Sequence, residues 1–195
     1  MDEPIGRRER KKAQTRQSLA DAALRLFLEH GYDRVGVKDV AEAADVSVTT
    51  LFKHFPSKEA LVFDLDDDLE SALVAAVRER PPGQSIPQAL REHILLRATG
   101  VAAADGQTPA FVRMIADTPV LRDYARRMWL RHETALATTI AEEVGAPTDD
   151  AACAALARFA LDASDLIERH PDPRRAADEI FAILEKGWAA SYSEA

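Results

Sequence analysis

Apolar residues in the first third of the chain recur at helical rather than strand spacing: Leu19, Ala23, Leu26 and Phe27 share one face, with polar positions between them. This predicts a first helix that follows a basic arm of Arg7, Arg8, Arg10, Lys11 and Lys12 and ends near His30. Gly31 stops it, as a glycine just past a helix end does. A second, short helix is predicted over 37–44 with Val40 and Ala41 turned inward. Asp45, Val46 and Ser47 then form a tight turn, and Ser47 caps a third helix over 48–54 that ends before Pro56. A fourth helix is predicted from Ser57 to Arg80. The second and third helices are too short to be stable alone and must pack on the first and fourth.

Pro81, Pro82 and Gly83 break the pattern, and a second helical region follows. Helices are predicted over 86–103, 110–117 and 119–144, with a loop over 106–109 and a stop at Gly145 and Pro147. An eighth helix runs from 149 or 150 to 169, the segment His170-Pro171-Asp172-Pro173 breaks it, and a ninth covers 174–192. No stretch alternates in the strand manner, so the fold class expected is all-α, with about nine helices.

Composition agrees: hydrophobic residues make up 47% and charged residues 30% of the chain, ordinary for a folded globular protein. Charge changes the picture more. The net charge is −8, but residues 1–60 hold 11 Lys/Arg against 10 Asp/Glu, +1, and residues 61–195 hold 14 against 23, −9. Lys11, Lys12, Lys38, Lys53 and Lys58 lie near one end, and only Lys186 lies elsewhere. Point charges gathered at one end suit phosphate contact. Cys153 is the single cysteine, so an intrachain disulfide and a cysteine-based zinc site are excluded, and a small apolar role in its helix is expected. His30, His93, His132 and His170 are scattered without metal-ligand spacing. The N-terminus lacks the apolar core of a signal peptide and no run is long enough to span a membrane, so a cytoplasmic, nucleoid-associated protein is expected.

Residues 31–61, GYDRVGVKDVAEAADVSVTTLFKHFPSKEAL, resemble the DNA-binding signature of TetR-family regulators. The resemblance implies a three-helix helix-turn-helix DNA-binding domain over 1–56 and a helical ligand-binding and dimerisation domain over 57–195. In such an arrangement the third helix anchors one face in its domain and turns the other toward the groove. Leu51 and Phe55 are the anchors here, with Val40 and Val46 beneath; Val48, Thr49, Thr50 and Lys53 fall on other sides. The candidate DNA-binding residues are Lys38, Ser47, Thr49, Thr50, Phe52, Lys53, His54 and Lys58. Lys58 is notable because a cation in a first helical turn opposes the macrodipole, a conflict that a DNA phosphate would resolve. The chain departs from the family pattern at three places. Asp45 stands where a glycine is usual, Phe52 where a tyrosine is usual, and Val35 and Gly36 where threonines are usual.

One recognition helix reads too little DNA for specificity, so a homodimer on a palindromic operator is expected. The last two helices are apolar on two faces. Ala155, Phe159, Asp162, Leu166, Phe181, Leu184 and Trp188 are the candidate interface; on the ninth helix Ala176, Ile183, Gly187 and Ala190 form a second apolar row. Candidate ligand-binding residues are His93, Leu96, Phe111, Arg113, Met114, Arg127, Trp129 and Phe159. The stretch 114–136 resembles a regulator subgroup associated with acyl-CoA-like or other lipophilic acidic ligands, which implies an arginine, Arg113 or Arg127, at an anionic group. The function expected is a ligand-responsive transcriptional regulator: a repressor released by a small molecule, or alternatively an activator of the same family. A helical carrier or enzyme is the contrasting class. No nucleophile–base pair, paired-carboxylate site or phosphate-cradling glycine loop is visible, so neither an enzyme nor a cofactor is expected.

Overall fold

In the computed structural model, residues 6–64, 66–99 and 109–192 are described, and these contain helices and turns without a strand. The nine α-helices among them are α1 (Arg7–His30), α2 (Val37–Ala43), α3 (Val48–His54), α4 (Asp66–Arg78), α5 (Ile86–Thr99), α6 (Pro109–Asp117), α7 (Pro119–Val144), α8 (Ala151–Arg169) and α9 (Pro173–Ser191). They form two compact units, residues 1–65 with 108–125, and residues 66–107 with 126–195.

The first unit is built on α1. Leu19, Ala20, Ala23 and Phe27 are buried on the stripe that the spacing predicts. Gly31, at φ +89°, ends the helix and donates its N–H to the Phe27 carbonyl at 2.9 Å. One 3-10 turn, Tyr32–Arg34, leads to α2, where the Asp39 carboxylate accepts the Gly36 N–H at 2.7 Å. Ser47 Oγ accepts the Thr50 N–H at 3.1 Å and caps α3. Between the two short helices, Asp45 sits at φ +53°, a left-handed conformation that glycine enters without a Cβ penalty. Asp45→Gly is therefore expected to stabilise this unit by roughly 0.5–1 kcal/mol, the relief of strain exceeding the extra freedom of the unfolded chain. An unchanged or lowered melting temperature would show that the aspartate carries no strain.

α6 and the first turns of α7 complete the core of this unit. Leu121 is fully buried with Phe27, Val40, Leu51, Phe55 and Leu61. Phe63 stacks on Tyr124 with ring centroids 5.2 Å apart.

The second unit packs α4, α5, the remainder of α7, α8 and α9 around Val77, Leu90, Ile94, Leu136, Ile140, Ala160, Ile167 and Phe181. Ion pairs close its edges, Arg97 to Glu168 at 3.0 Å and Arg80 to Glu143 at 2.6 Å among them. Asp150 caps α8 through the Cys153 N–H and also accepts the Tyr192 hydroxyl at 2.6 Å, which ties the end of α9 to the start of α8.

Two expectations need correction. No helix starts at Ser57: a 3-10 turn, Glu59–Leu61, stands there and α4 begins at Asp66. The expected extension of α5 past Thr99 and the loop over 106–108 lie outside the described residues, while Pro109 already opens α6. No helix among the described residues is long and apolar enough to cross a membrane.

Candidate nucleic-acid interface

α3 has one buried residue, Leu51, with Phe55 buried immediately after the helix. Both belong to the core formed with α1 and α2, so this face is committed to the protein. The opposite face is open. Thr49 and Lys53 are exposed, and Phe52, where a tyrosine was the family expectation, is 49% exposed. A phenyl ring and a threonine methyl suit a thymine methyl, and an ammonium suits a phosphate or a guanine edge. Lys38 in the first turn of α2 is exposed, as are Arg7, Arg8, Arg10, Lys11 and Lys12 in the first two turns of α1.

Three of the expected residues have work inside the protein. Ser47 is the cap of α3, and the Thr50 hydroxyl lies 2.9 Å from Ser47 Oγ, so Thr50 serves the helix start and Thr49 is the freer of the two threonines. Lys58 does not sit in the first turn of a long helix. Its Nζ donates to the Tyr32 carbonyl at 2.5 Å and stands 3.8 Å from the Tyr32 ring centroid. Burial lowers the Lys58 pKa, against the opposing pull of Asp33, Glu59 and Asp39. The Tyr32 hydroxyl donates to Glu59 Oε1 at 3.0 Å, so this lysine and its neighbour pin the α1–α2 turn from both sides.

His54 is half-buried, and its Nδ1 is buried without a partner among the described residues. Burial, then the nearby Lys12 and Arg16, lowers its pKa from the ordinary 6.5. In the second unit burial, then Arg97, lowers His93 in the same direction. For both groups the folded chain holds its proton less tightly than the unfolded chain, so unfolding takes up protons. Stability is expected to fall as pH drops below about 6.5. A variant carrying glutamine at both positions should lose part of that slope between pH 7 and pH 5 in denaturant titrations; an unchanged slope would assign it to other groups.

The ligand candidates are divided between the two units. Phe111, Arg113 and Met114 lie in the first unit, where Phe111 and Met114 pack on its core. Met114 also borders an open cleft of about 430 Å³ that Phe27, Tyr32, Asp117 and Thr118 help to line. In the second unit His93 is half-buried, while Arg127, Trp129, Leu96 and Phe159 are exposed, Leu96 by 71%. A cleft of about 440 Å³ there is bordered by Glu70, Leu130, Arg131, Thr134 and Ala135.

The interface candidates divide. On α8, Phe159, Asp162 and Leu166 point outward and Ala155 is half-buried, while Cys153, Leu156, Ala160 and Ile167 face the core. On α9 the expected row faces the chain's own core: Phe181 is 2% exposed, and Leu184 and Trp188 pack on the same interior. The outward row is Ile183, 72% exposed, with Gly187 and Ala190. Sequence reading passes over Arg16. The signal was present, because Arg16 shares its helical stripe with Leu19, Ala20, Ala23 and Phe27 and is thereby turned inward.

Residues 19–65 match the family model described as bacterial regulatory proteins, tetR family. The chain is 35% identical over 154 residues to the HTH-type transcriptional regulator TcmR of Streptomyces glaucescens, covering 74% of this chain and 67% of that protein. Among solved structures it is similar to NalD, the secondary repressor of the MexAB-OprM multidrug efflux pump in Pseudomonas aeruginosa. That match has a TM-score of 0.60 at 18% identity and covers 91% of this chain and 96% of NalD. It is also similar to SmeT in a complex with triclosan, with a TM-score of 0.56 at 17% identity over 89% of this chain and 91% of that one.

Proposed function

The chain belongs to the TetR family of bacterial regulatory proteins, DNA-binding transcription regulators of helix-turn-helix type and not enzymes, and from that premise we propose that it is a repressor released from DNA by a small molecule. Two copies hold a palindromic operator, with recognition helices spaced about one helical turn, ~34 Å, or slightly more. The observation that carries this reading is the division of α3: Leu51 and Phe55 are sealed in the core while Thr49, Phe52 and Lys53 stand open on the other side. Residues 1–56 supply the DNA contact, with Lys38 and the basic start of α1 adding phosphate contacts. Residues 57–195 supply the partner contact and the effector site.

The outward apolar side chains Phe159, Leu166 and Ile183 support the dimer, since large hydrophobics gathered on two neighbouring helices are uncommon on a monomer surface. The effector is a lipophilic anion, on the strength of the 114–136 stretch. The complex of SmeT with triclosan supports a small-molecule effector.

Fluorescence anisotropy on the upstream intergenic DNA, across a salt series and beside a scrambled duplex, tests the first part. Tight binding to the native duplex alone, weakening steeply with salt, is the expected result. Calorimetry with fatty acids and acyl-CoAs tests the second. Effector and operator must weaken each other by one and the same factor, because the coupling is a single free energy. No heat at high micromolar ligand would discard that ligand class.

A further inference from the structure

Arg7, Arg8, Arg10 and Arg25 of α1 are exposed, whereas Arg16 is half-buried and its guanidinium is engaged on several sides. Nη1 donates to the carbonyl of His54, the last residue of α3, at 3.1 Å. Nη2 donates to the Asp64 carbonyl at 2.6 Å, and Nε lies 2.8 Å from the Asp64 carboxylate. The plane of the group rests over Phe55, 4.6 Å from the ring centroid. A planar fork can meet these acceptors and the ring together; an ammonium cannot.

The position matters because of how little else orients α3. A seven-residue helix has no stability of its own, and Leu51 is its one fully buried residue, with Val48 partly buried against the same core. The Ser47 cap acts within the helix and does not set its tilt. The last carbonyls of α3 lack partners within the helix and carry the negative end of its dipole, which a cation satisfies. We infer that Arg16 is a positioning residue for DNA reading: it clamps the end of α3 and Phe55 to α1 and so fixes the tilt at which Thr49, Phe52 and Lys53 meet the groove. This rests on the reading of α3 as the recognition helix.

The test compares Arg16→Ala and Arg16→Lys with the unaltered chain by anisotropy, at a temperature where circular dichroism shows all of them folded. The probes are a duplex selected by the unaltered chain from random DNA and a scrambled duplex. Both variants should lose about tenfold or more in affinity for the selected duplex, with binding to the scrambled duplex and the salt slope unchanged. Lysine should not rescue, because it restores the charge without the fork. Asp64→Asn, which keeps the main-chain acceptor and weakens the ion pair, should give a smaller loss and remains informative if Arg16→Ala fails to fold. A salt slope lowered by about one in Arg16→Ala would make Arg16 a phosphate contact and overturn the inference. Full rescue by lysine, or unchanged affinity in both variants, would overturn it as well. If the unaltered chain selects no duplex, the DNA reading itself fails and the inference with it.

Discussion

Replacing Phe159 and Leu166 together by glutamate is expected to yield a folded protein that no longer dimerises and binds an operator duplex about two to four orders of magnitude more weakly. Both side chains face largely outward, 53% and 60% exposed, and neither belongs to the core of the chain. They lie on one face of α8, two turns apart, while the adjoining face, about a quarter turn round the helix, holds Cys153, Leu156, Ala160 and Ile167. Two buried, unpaired carboxylates in a partner contact are costly, and removing an apolar patch from a free surface is not. The affinity loss follows from geometry: the second half-site is then bound from solution rather than at the high local concentration a linked partner provides. Sedimentation equilibrium reads the dimer, circular dichroism the fold and anisotropy the operator. Monomers with full operator affinity would remove the dimer from the mechanism, and intact dimers would move the interface elsewhere.

The partition of α9 shows where sequence reading stops. Its two apolar rows are equally legible in the pattern, but periodicity says only that both are apolar, not which one meets the chain's own core. The core takes Phe181 and leaves Ile183 outside. Helix ends were more readable, because proline and glycine act locally: Pro119 and Gly145 bracket α7, and the observed helix is Pro119–Val144. The start of α4 was not readable. Residues 57–64 carry no helix breaker after Pro56, yet the chain there makes a 3-10 turn and offers the Asp64 carbonyl to Arg16, forty-eight positions away. The setting of Lys58 is unreadable for the same reason, since the group it meets in the fold is the Tyr32 carbonyl, on the far side of α2 and α3 in sequence. The face of α3 was fully legible, because a short helix with one leucine anchor leaves little choice. A ligand lining was not, because helical spacing marks a buried stripe and says nothing of whether a cavity lies beneath it.

As the one fully buried residue of α3, Leu51 is central to how that helix is seated. Leu51→Ala is expected to destabilise that unit by about 2–5 kcal/mol, the cost of deleting a fully buried leucine whose site can collapse only partly. Leu51 is 0% exposed and packs in the core with Val40, Phe55 and Leu61. Whole small domains hold about 5–15 kcal/mol in total, so the loss is a large share of what keeps α3 seated. Because α3 cannot persist as a free helix, it detaches before the rest of the fold yields. Operator binding should therefore disappear while the core of the second unit, around Leu90, Ile140 and Phe181, stays protected. Amide hydrogen exchange followed by mass spectrometry separates the two, with fast exchange expected over 48–54 and little change over 151–191. Leu51→Met, which keeps the volume, should cost less than about 1.5 kcal/mol and retain binding. Loss of binding in Leu51→Met as well, with α3 still protected, would mean that Leu51 faces the DNA rather than the core.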